Sequence, residues 1–94
     1  MENNLCIGSI VLSTAGRDKD RIYLVSKLID ENFVFVVDGN FRLFANPKKK
    51  RIKHIKLTSE VVKTIKEKIE NEKKVFDSEV FSALKNSKLN KKTV

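Results

Sequence analysis

The sequence has few of the residues that build reactive or metal-binding sites, with one cysteine and one histidine among 94 residues. Because Cys6 has no second cysteine, no internal disulfide can form, and its position in an apolar run indicates a small core residue rather than a nucleophile. His54 is the single histidine, so the chain has no cluster of cysteine and histidine residues with the spacing of a metal site. We therefore expect no metal and no cofactor.

Catalytic motifs are also missing. The sequence contains no glycine-rich phosphate loop, no Ser-His-Asp set and no motif of paired carboxylates. A chain of 94 residues buries a small core, which leaves little room for a large catalytic cleft. We therefore predict that the protein is not an enzyme.

Long apolar runs are lacking as well. Runs such as residues 10–12 and 33–37 are far shorter than the roughly 18 apolar residues that a transmembrane helix needs. The first residues carry an acid at position 2 and no basic leader, unlike a secretory signal. With 40% hydrophobic and 34% charged residues, the composition predicts a soluble globular protein without a membrane partner, located in the cytoplasm.

Acidic residues are absent from two segments, which explains the net charge of +8. Residues 42–57 contain seven lysines and arginines and residues 84–94 contain four lysines, whereas the rest of the chain is slightly acidic. Charge concentrated in this way favours a polyanionic partner over general solubility. Because lysine acts as a point charge, a lysine-rich segment indicates recognition of a nucleic-acid backbone with little reading of base sequence.

Short apolar runs separated by turn residues predict five β-strands. These strands are residues 5–14, 21–29, 33–38, 41–44 and 52–57. Gly39 is predicted to lie in a tight turn, and Pro47 makes residues 45–51 a connection rather than a central strand. In the second run, apolar residues occupy both sets of alternating positions, so we expect both faces of this strand to be partly buried. Five short strands joined by short turns favour a small closed β-barrel.

The apolar period changes after the fifth strand. Residues 60–73 carry an apolar stripe with helical spacing, and Thr58 or Ser59 is the predicted cap of this helix. Asp77 is predicted to cap a second helix that carries Val80 on its apolar face.

Most of the six phenylalanines occupy periodic apolar positions. Four are therefore interpreted as core residues: Phe33, Phe35, Phe76 and Phe81. Phe41 and Phe44 flank Arg42 beside the basic segment, so one of these two rings is a candidate for stacking on a nucleic-acid base.

A family resemblance covers residues 5–57. The stretch GSIVLSTAGRDKDRIYLV with the later FVFVVDG resembles the KOW motif, and DGNFRLFANPKKKRIKHI after it is similar to the short bacterial KOW-domain proteins. Those proteins are related to archaeal and eukaryotic large-subunit ribosomal proteins. Gly16 matches the motif's glycine and Gly39 the later turn, whereas Asp20 stands where the family usually has glycine. The resemblance implies an SH3-like barrel that binds RNA, in association with the ribosome.

Taken together, the pattern and the resemblance predict a mainly β fold with some α structure. Residues 1–57 are expected to form the five-stranded SH3-like (KOW) barrel, residues 58–89 a helical extension of one or two helices on or beside it, and residues 90–94 a flexible basic tail.

Two groups of basic side chains are expected to contact RNA. In the first loop, Asp18 and Asp20 interrupt the positive charge, so this loop alone should bind weakly. Its candidate contacts are Arg17, Lys19 and Arg21. The stronger predicted anchor consists of Arg42, Lys48, Lys49, Lys50, Arg51, Lys53, His54 and Lys56.

The expected partner is structured RNA, in particular ribosomal RNA or a ribosomal subunit. Two alternatives stay open. The chain could be an SH3-like protein-interaction module of the transcription or translation machinery, with the helix at 60–73 as its docking face, and the same charges would also suit a non-specific nucleic-acid binder, duplex DNA included.

Overall fold

The computed structural model describes residues 5–87, so the predicted tail at 90–94 lies outside the described residues. A short 3-10 turn, Ile52–His54, separates the fourth and fifth strands. The strands and helices are β1 (Ser9–Ser13), β2 (Ile22–Leu28), β3 (Phe33–Val37), β4 (Lys48–Arg51), β5 (Ile55–Val61), α1 (Lys63–Glu70) and α2 (Asp77–Lys85).

All five strands form one antiparallel sheet in the order β4-β3-β2-β1-β5. The prediction of a mainly β fold with a C-terminal helical part is confirmed. Strands β1 to β4 pair in chain order, and β5 returns to the other side of β1, where Leu57 lies opposite Val11. Strands β4 and β5 are thus the two edges of the sheet. No ladder joins these edges within residues 5–87, so the sheet is not closed into a barrel.

The predicted strand at 41–44 is wrong, because the turn after β3 uses its backbone donors locally. Asp38 Oδ1 accepts hydrogen bonds from the backbone N–H groups of Asn40 at 2.8 Å and Arg42 at 2.7 Å. In the following residues an isolated bridge joins Leu43 and Asn46. These donors are therefore not available to a ladder with β3.

The fourth strand lies instead at Lys48–Arg51, inside the segment predicted as a connection. It pairs with β3 along its whole length. Pro47 precedes the strand and so removes no donor from the ladder. A lysine-rich strand is well suited to an edge, because its charges discourage a further strand from adding there.

The first helix begins later than predicted, because the residues expected to start it belong to β5. Thr58 Oγ1 donates to the Ile10 carbonyl oxygen at 2.6 Å, and Val61 lies opposite Ser9. The second helix begins at Asp77, the residue that was predicted as its cap, and the residue at the cap position is Phe76. The carboxylate of Asp77 accepts a hydrogen bond from the Phe44 N–H at 2.6 Å instead.

Apolar residues cover both faces of the sheet, and the predicted burial of both faces of β2 is confirmed. The core between the sheet and the helices contains Ile10, Leu24, Val37, Ile65, Val75, Val80 and Leu84. The core on the opposite face contains Val11, Tyr23, Val25, Val34 and Val36, with Leu5, Ile52, Ile55 and Leu57 packed against it.

The four phenylalanines predicted as core residues lie outside both cores. Phe33 and Phe35 are half-buried, because the alternate residues Val34 and Val36 fill the core beneath β3. Phe76 and Phe81 are 54% and 45% exposed, since Val80 and Leu84 supply the buried face of α2. No helix within residues 5–87 is both long enough and apolar enough to cross a bilayer.

Candidate nucleic-acid interface

Strand β4 divides the basic run KKKR into two pairs that face opposite sides of the sheet. Side chains directly opposite each other on antiparallel strands share a face. Lys48 and Lys50 lie opposite Val36 and Val34, which belong to the core on one face. Lys49 and Arg51 lie opposite Phe35 and Phe33, on the other face. Adjacent residues of one tetrapeptide are thus placed in different environments.

Lys48 and Lys50, the inward pair, bind the buried carboxylate of Asp18, which is 6% exposed. Lys50 Nζ donates to Asp18 Oδ1 at 2.9 Å, and Lys48 Nζ lies 3.1 Å from Oδ2. The hydroxyls of Ser13 and Tyr23 also donate to this carboxylate, each at 2.9 Å. Lys50 makes a further hydrogen bond to the Ala15 carbonyl oxygen at 3.1 Å. The loop between β1 and β2 is therefore tied to the edge strand β4.

These contacts shift two pKa values. Burial alone would raise the pKa of Asp18, but the hydrogen bonds from Lys50, Tyr23, Lys48 and Ser13 outweigh it and hold the pKa of this carboxyl well below its usual range. Burial, together with the hydrogen bond to the Asp18 carboxylate, raises the pKa of Tyr23 to about 12. Asp18 is thus ionised and Tyr23 neutral at physiological pH.

Asp18 does more than interrupt the positive charge of the first loop. Its carboxylate is buried and positions the loop, and the exposed Arg17 and Lys19 flank it in the chain. The sequence predicted that the first loop and the basic segment both contact RNA, and the structure brings the two together through this acid.

Lys49 and Arg51, the outward pair, lie on a surface that we call the basic-aromatic face. It consists of Lys27, Phe33, Phe35, Lys49 and Arg51. Lys49 Nζ and Arg51 Cζ lie 4.4 and 5.1 Å from the centroid of the Phe33 ring. Lys27 of β2 lies opposite Phe35, so it continues the row across three strands. All three cations are exposed, and no carboxylate of residues 5–87 forms an ion pair with them.

Lys27 was not among the predicted contacts. A bulge in β2 between Val25 and Lys27 shifts the register, and this shift decides which face Lys27 occupies. The signal in the sequence was a polar pair, Ser26 and Lys27, interrupting an apolar strand.

The remaining predicted residues are distributed over several parts of the molecule. Lys53 is exposed on the 3-10 turn and lines a shallow depression together with Arg51. His54 is half-buried in the same turn, where its carbonyl oxygen accepts a hydrogen bond from the Thr14 N–H at 2.9 Å. Lys56 is exposed on β5, at the opposite edge in the strand order from β4.

Arg21 and Arg42 do not belong to the basic-aromatic face. Arg42 is half-buried in the turn after β3. Arg21 is exposed, and its Cζ lies 4.9 Å from the centroid of the Phe41 ring. Phe41 is 70% exposed, whereas Phe44 packs against the core between the sheet and the helices, so Phe41 is the ring of this pair that is open to solvent.

Comparison with known proteins yields no assignment, because no protein-family model and no curated protein matches the chain. Within residues 5–87, no group of three or more histidine, cysteine, aspartate or glutamate side chains is arranged to hold a metal ion. The function must therefore be inferred from the residues and their geometry.

Proposed function

We propose that the protein is a ribosome-associated protein that binds structured RNA through basic side chains directed at phosphates. The observation that carries this proposal is the basic-aromatic face, where Lys27, Lys49 and Arg51 stand in register without a carboxylate partner among residues 5–87. The resemblance to the short bacterial KOW-domain proteins supports RNA as the partner and the ribosome as its source.

The phenylalanine rings favour binding over mere solubility. A ring beneath a lysine or arginine attracts the cation through its quadrupole but leaves the net charge in place. Lys49 and Arg51 are thus oriented by Phe33 while their charges are still available to phosphates. Arginine can bind a phosphate with two parallel hydrogen bonds, whereas lysine acts as a point charge.

The number of available cations sets the expected salt dependence. Lys27, Lys49, Arg51 and the nearby Lys53 would make about four phosphate contacts. Four contacts imply that the affinity falls on the order of a hundred-fold when the salt concentration rises fourfold. The loop cations Arg17 and Lys19 add to this field, because Asp18 ties their loop to β4.

We also propose that the sheet is the SH3-like sheet of the KOW family. Five short antiparallel strands support this, as does the core on one face of the sheet, against which Ile52 and two residues of β5, Ile55 and Leu57, are packed. Gly16 and Gly39, which match the family's glycines, have φ of +88° and +78°. Asp20, which replaces a usual glycine, has φ of +76°, a conformation that glycine adopts freely and aspartate tolerates better than most residues.

Cosedimentation with ribosomal subunits tests the proposal. We expect the protein to pellet with one subunit at saturable stoichiometry, and the variant Lys49→Glu/Arg51→Glu to stay in the supernatant at moderately high salt. The matched control, Lys63→Glu/Lys73→Glu, changes the net charge equally at two exposed positions of the helical part and should pellet normally.

Equal loss of binding in both variants would mean that net charge alone drives association, and no loss in either would remove the basic-aromatic face as the site. Competition between structured RNA and duplex DNA of equal length then separates the two nucleic acids, since RNA alone offers 2′-hydroxyls and an A-form minor groove.

A further inference from the structure

A second candidate surface lies at the other end of the first loop. A cleft of about 830 Å³ opens between Arg21 and Ile22 at the start of β2, the turn that carries Asn40 and Phe41, and Phe81 of α2. This volume is within the range of sites that hold small ligands or single nucleotides. The cleft is separate from the basic-aromatic face, since it shares no residue with that face.

Phe41 is the most exposed large apolar side chain in the described part of the chain, at 70%, and Phe81, at 45%, lines the same cleft. Neither ring belongs to a core cluster. The guanidinium of Arg21 lies against the Phe41 ring at 4.9 Å. Two exposed rings with an arginine beside one of them form a surface on which a flat aromatic group can stack.

The turn that carries Phe41 is fixed, so the exposed ring is held in place. Besides accepting two backbone hydrogen bonds through its carboxylate, Asp38 donates its own N–H to the Arg42 carbonyl oxygen at 2.9 Å. Gly39 packs so closely against α2 that a Cβ there would overlap the Asp77 carbonyl oxygen and the Phe81 nitrogen. An exposed ring on a fixed turn reduces the entropy lost when a ligand is bound.

The walls of the cleft favour a nucleobase over an apolar protein segment. Carboxylates and an amide lie beside the rings, from Asp20, Asp38 and Asn40, together with the cations of Arg21 and Lys85. A base has apolar faces for the rings and a polar edge for these groups, whereas an apolar side chain would leave the polar groups unused. The two carboxylates offset the two cations of the cleft wall, so the cleft has no net positive charge that would favour a phosphate, and the expected contact is to the base.

We infer that this cleft holds an unpaired nucleobase of the bound RNA, stacked on Phe41 and Arg21. The inference rests on the proposed RNA-binding function and adds a contact for single-stranded RNA to the phosphate contacts of the basic-aromatic face. The first loop contacts both β4 and the cleft, because Asp18 in its middle is bound to the inward side of β4 and Arg21 at its end lines the cleft. Lys49 and Arg51 lie on the other side of the same edge strand, so one RNA passing around β4 and this loop would reach both surfaces.

The test compares two RNAs by fluorescence anisotropy: a blunt duplex, and a duplex with a short unpaired extension and the same number of phosphates. Wild type should bind the extended RNA about tenfold more tightly, in line with the stacking of a single base on an aromatic ring. Phe41→Ala should abolish this preference without changing the affinity for the blunt duplex, and Phe41→Trp should preserve or increase it.

Phe76→Ala is the matched control, because Phe76 is 54% exposed but lies outside the cleft. It should keep the preference for the extended RNA. If wild type binds both RNAs equally, or if Phe41→Ala and Phe76→Ala behave alike, the inference is overturned while the proposed function stands. An unchanged preference of Phe41→Ala for the extended RNA would also overturn the inference and would make an apolar protein segment the next candidate occupant of the cleft. If wild type binds neither RNA, the proposed function fails and the inference fails with it.

Discussion

The two sides of β4 use the same kind of residue for different purposes. On one side Lys48 and Lys50 are bound to the buried Asp18, and on the other Lys49 and Arg51 are exposed over Phe33. A run of four basic residues therefore does not make four equivalent contacts to a partner. Two of its charges hold the fold together, and two are available for binding.

On the inward side of β4, where Lys48 and Lys50 bind Asp18, the variant Asp18→Ala should cause the largest loss of stability. This change leaves Lys50, which is 7% exposed, without its ion-pair partner, and removal of one member of a buried pair costs about 3 kcal/mol or more. Urea denaturation should show this loss in the free energy of unfolding. Asp20→Asn is the control at an exposed position two residues away, and because asparagine tolerates the positive φ of this residue, the stability should change by less than about 1 kcal/mol. Similar losses in both variants would contradict the anchoring role of Asp18.

On the outward side of β4, the salt dependence of RNA binding tests whether Lys49 and Arg51 contact phosphates. Lys49→Gln/Arg51→Gln removes two phosphate contacts, so the slope of log affinity against log salt should become shallower by about 2. The stability of this variant should stay close to that of wild type. Lys48→Gln, on the inward side, should lower the stability and leave the slope nearly unchanged. If Lys48→Gln makes the slope shallower by about 1, the value expected for the loss of one phosphate contact, the two sides of β4 do not differ in function as proposed.

The electrostatics of the inward cluster can be followed through Tyr23, the one tyrosine in the chain. Ultraviolet absorbance should show it ionising with a pKa of about 12 in the folded protein and near 10 in urea. Because the folded-state pKa is raised, this group's contribution to stability is present below about pH 10 and is lost as the pH rises toward 12. In Asp18→Asn, the pKa of Tyr23 should be lower than in wild type. An unchanged value would mean that burial alone causes the shift.

Low pH should also weaken the same cluster, because it protonates the Asp18 carboxylate. The pKa of Asp18 is lowered by folding, so its contribution to stability is complete above about pH 4 and decreases as the pH falls further. The difference in melting temperature between wild type and Asp18→Asn should therefore narrow in acid. A constant difference between neutral pH and about pH 2 would contradict this linkage.

The smallest effects are expected from the backbone of the first loop. Asp20→Gly should stabilise the protein by up to about 1 kcal/mol, because glycine adopts the observed φ of +76° without strain. Gly16→Ala should destabilise it by about 1 kcal/mol, since its φ is +88° although its Cβ would meet nothing closer than 3.5 Å. Thermal denaturation of both variants provides the measurement, and an effect of the same sign in both would contradict the assignment.

The sequence predicted the elements whose signals are local. Alternating and two-sided apolar patterns marked β1, β2 and β3, and Asp77 marked the start of α2. Strand β4 was missed because lysines carry no apolar period, and its position depends on pairing with β3 and on a loop some 30 residues earlier. The start of α1 was misplaced because Thr58 hydrogen-bonds to β1 rather than capping a helix.

The candidate site was predictable in composition but not in geometry. Counting charges located the basic segment, yet only the strand register shows that Lys49 and Arg51 face outward while Lys50 is buried. The same limit applies to Phe33 and Phe35. Their periodic positions were equally consistent with a core, and the valines between them occupy it instead.

The alternation along β4 also restricts how this protein can change over evolutionary time. A deletion or insertion of one residue within Lys48–Arg51 would exchange the two faces, because side chains in a strand alternate with a period of two. Lys48 and Lys50 would then leave Asp18, and Lys49 and Arg51 would turn toward it, so the buried ion pairs and the exposed surface would both change in a single event. Substitutions can therefore adjust stability and affinity separately, position by position, whereas the length of this short strand is fixed by both properties at once.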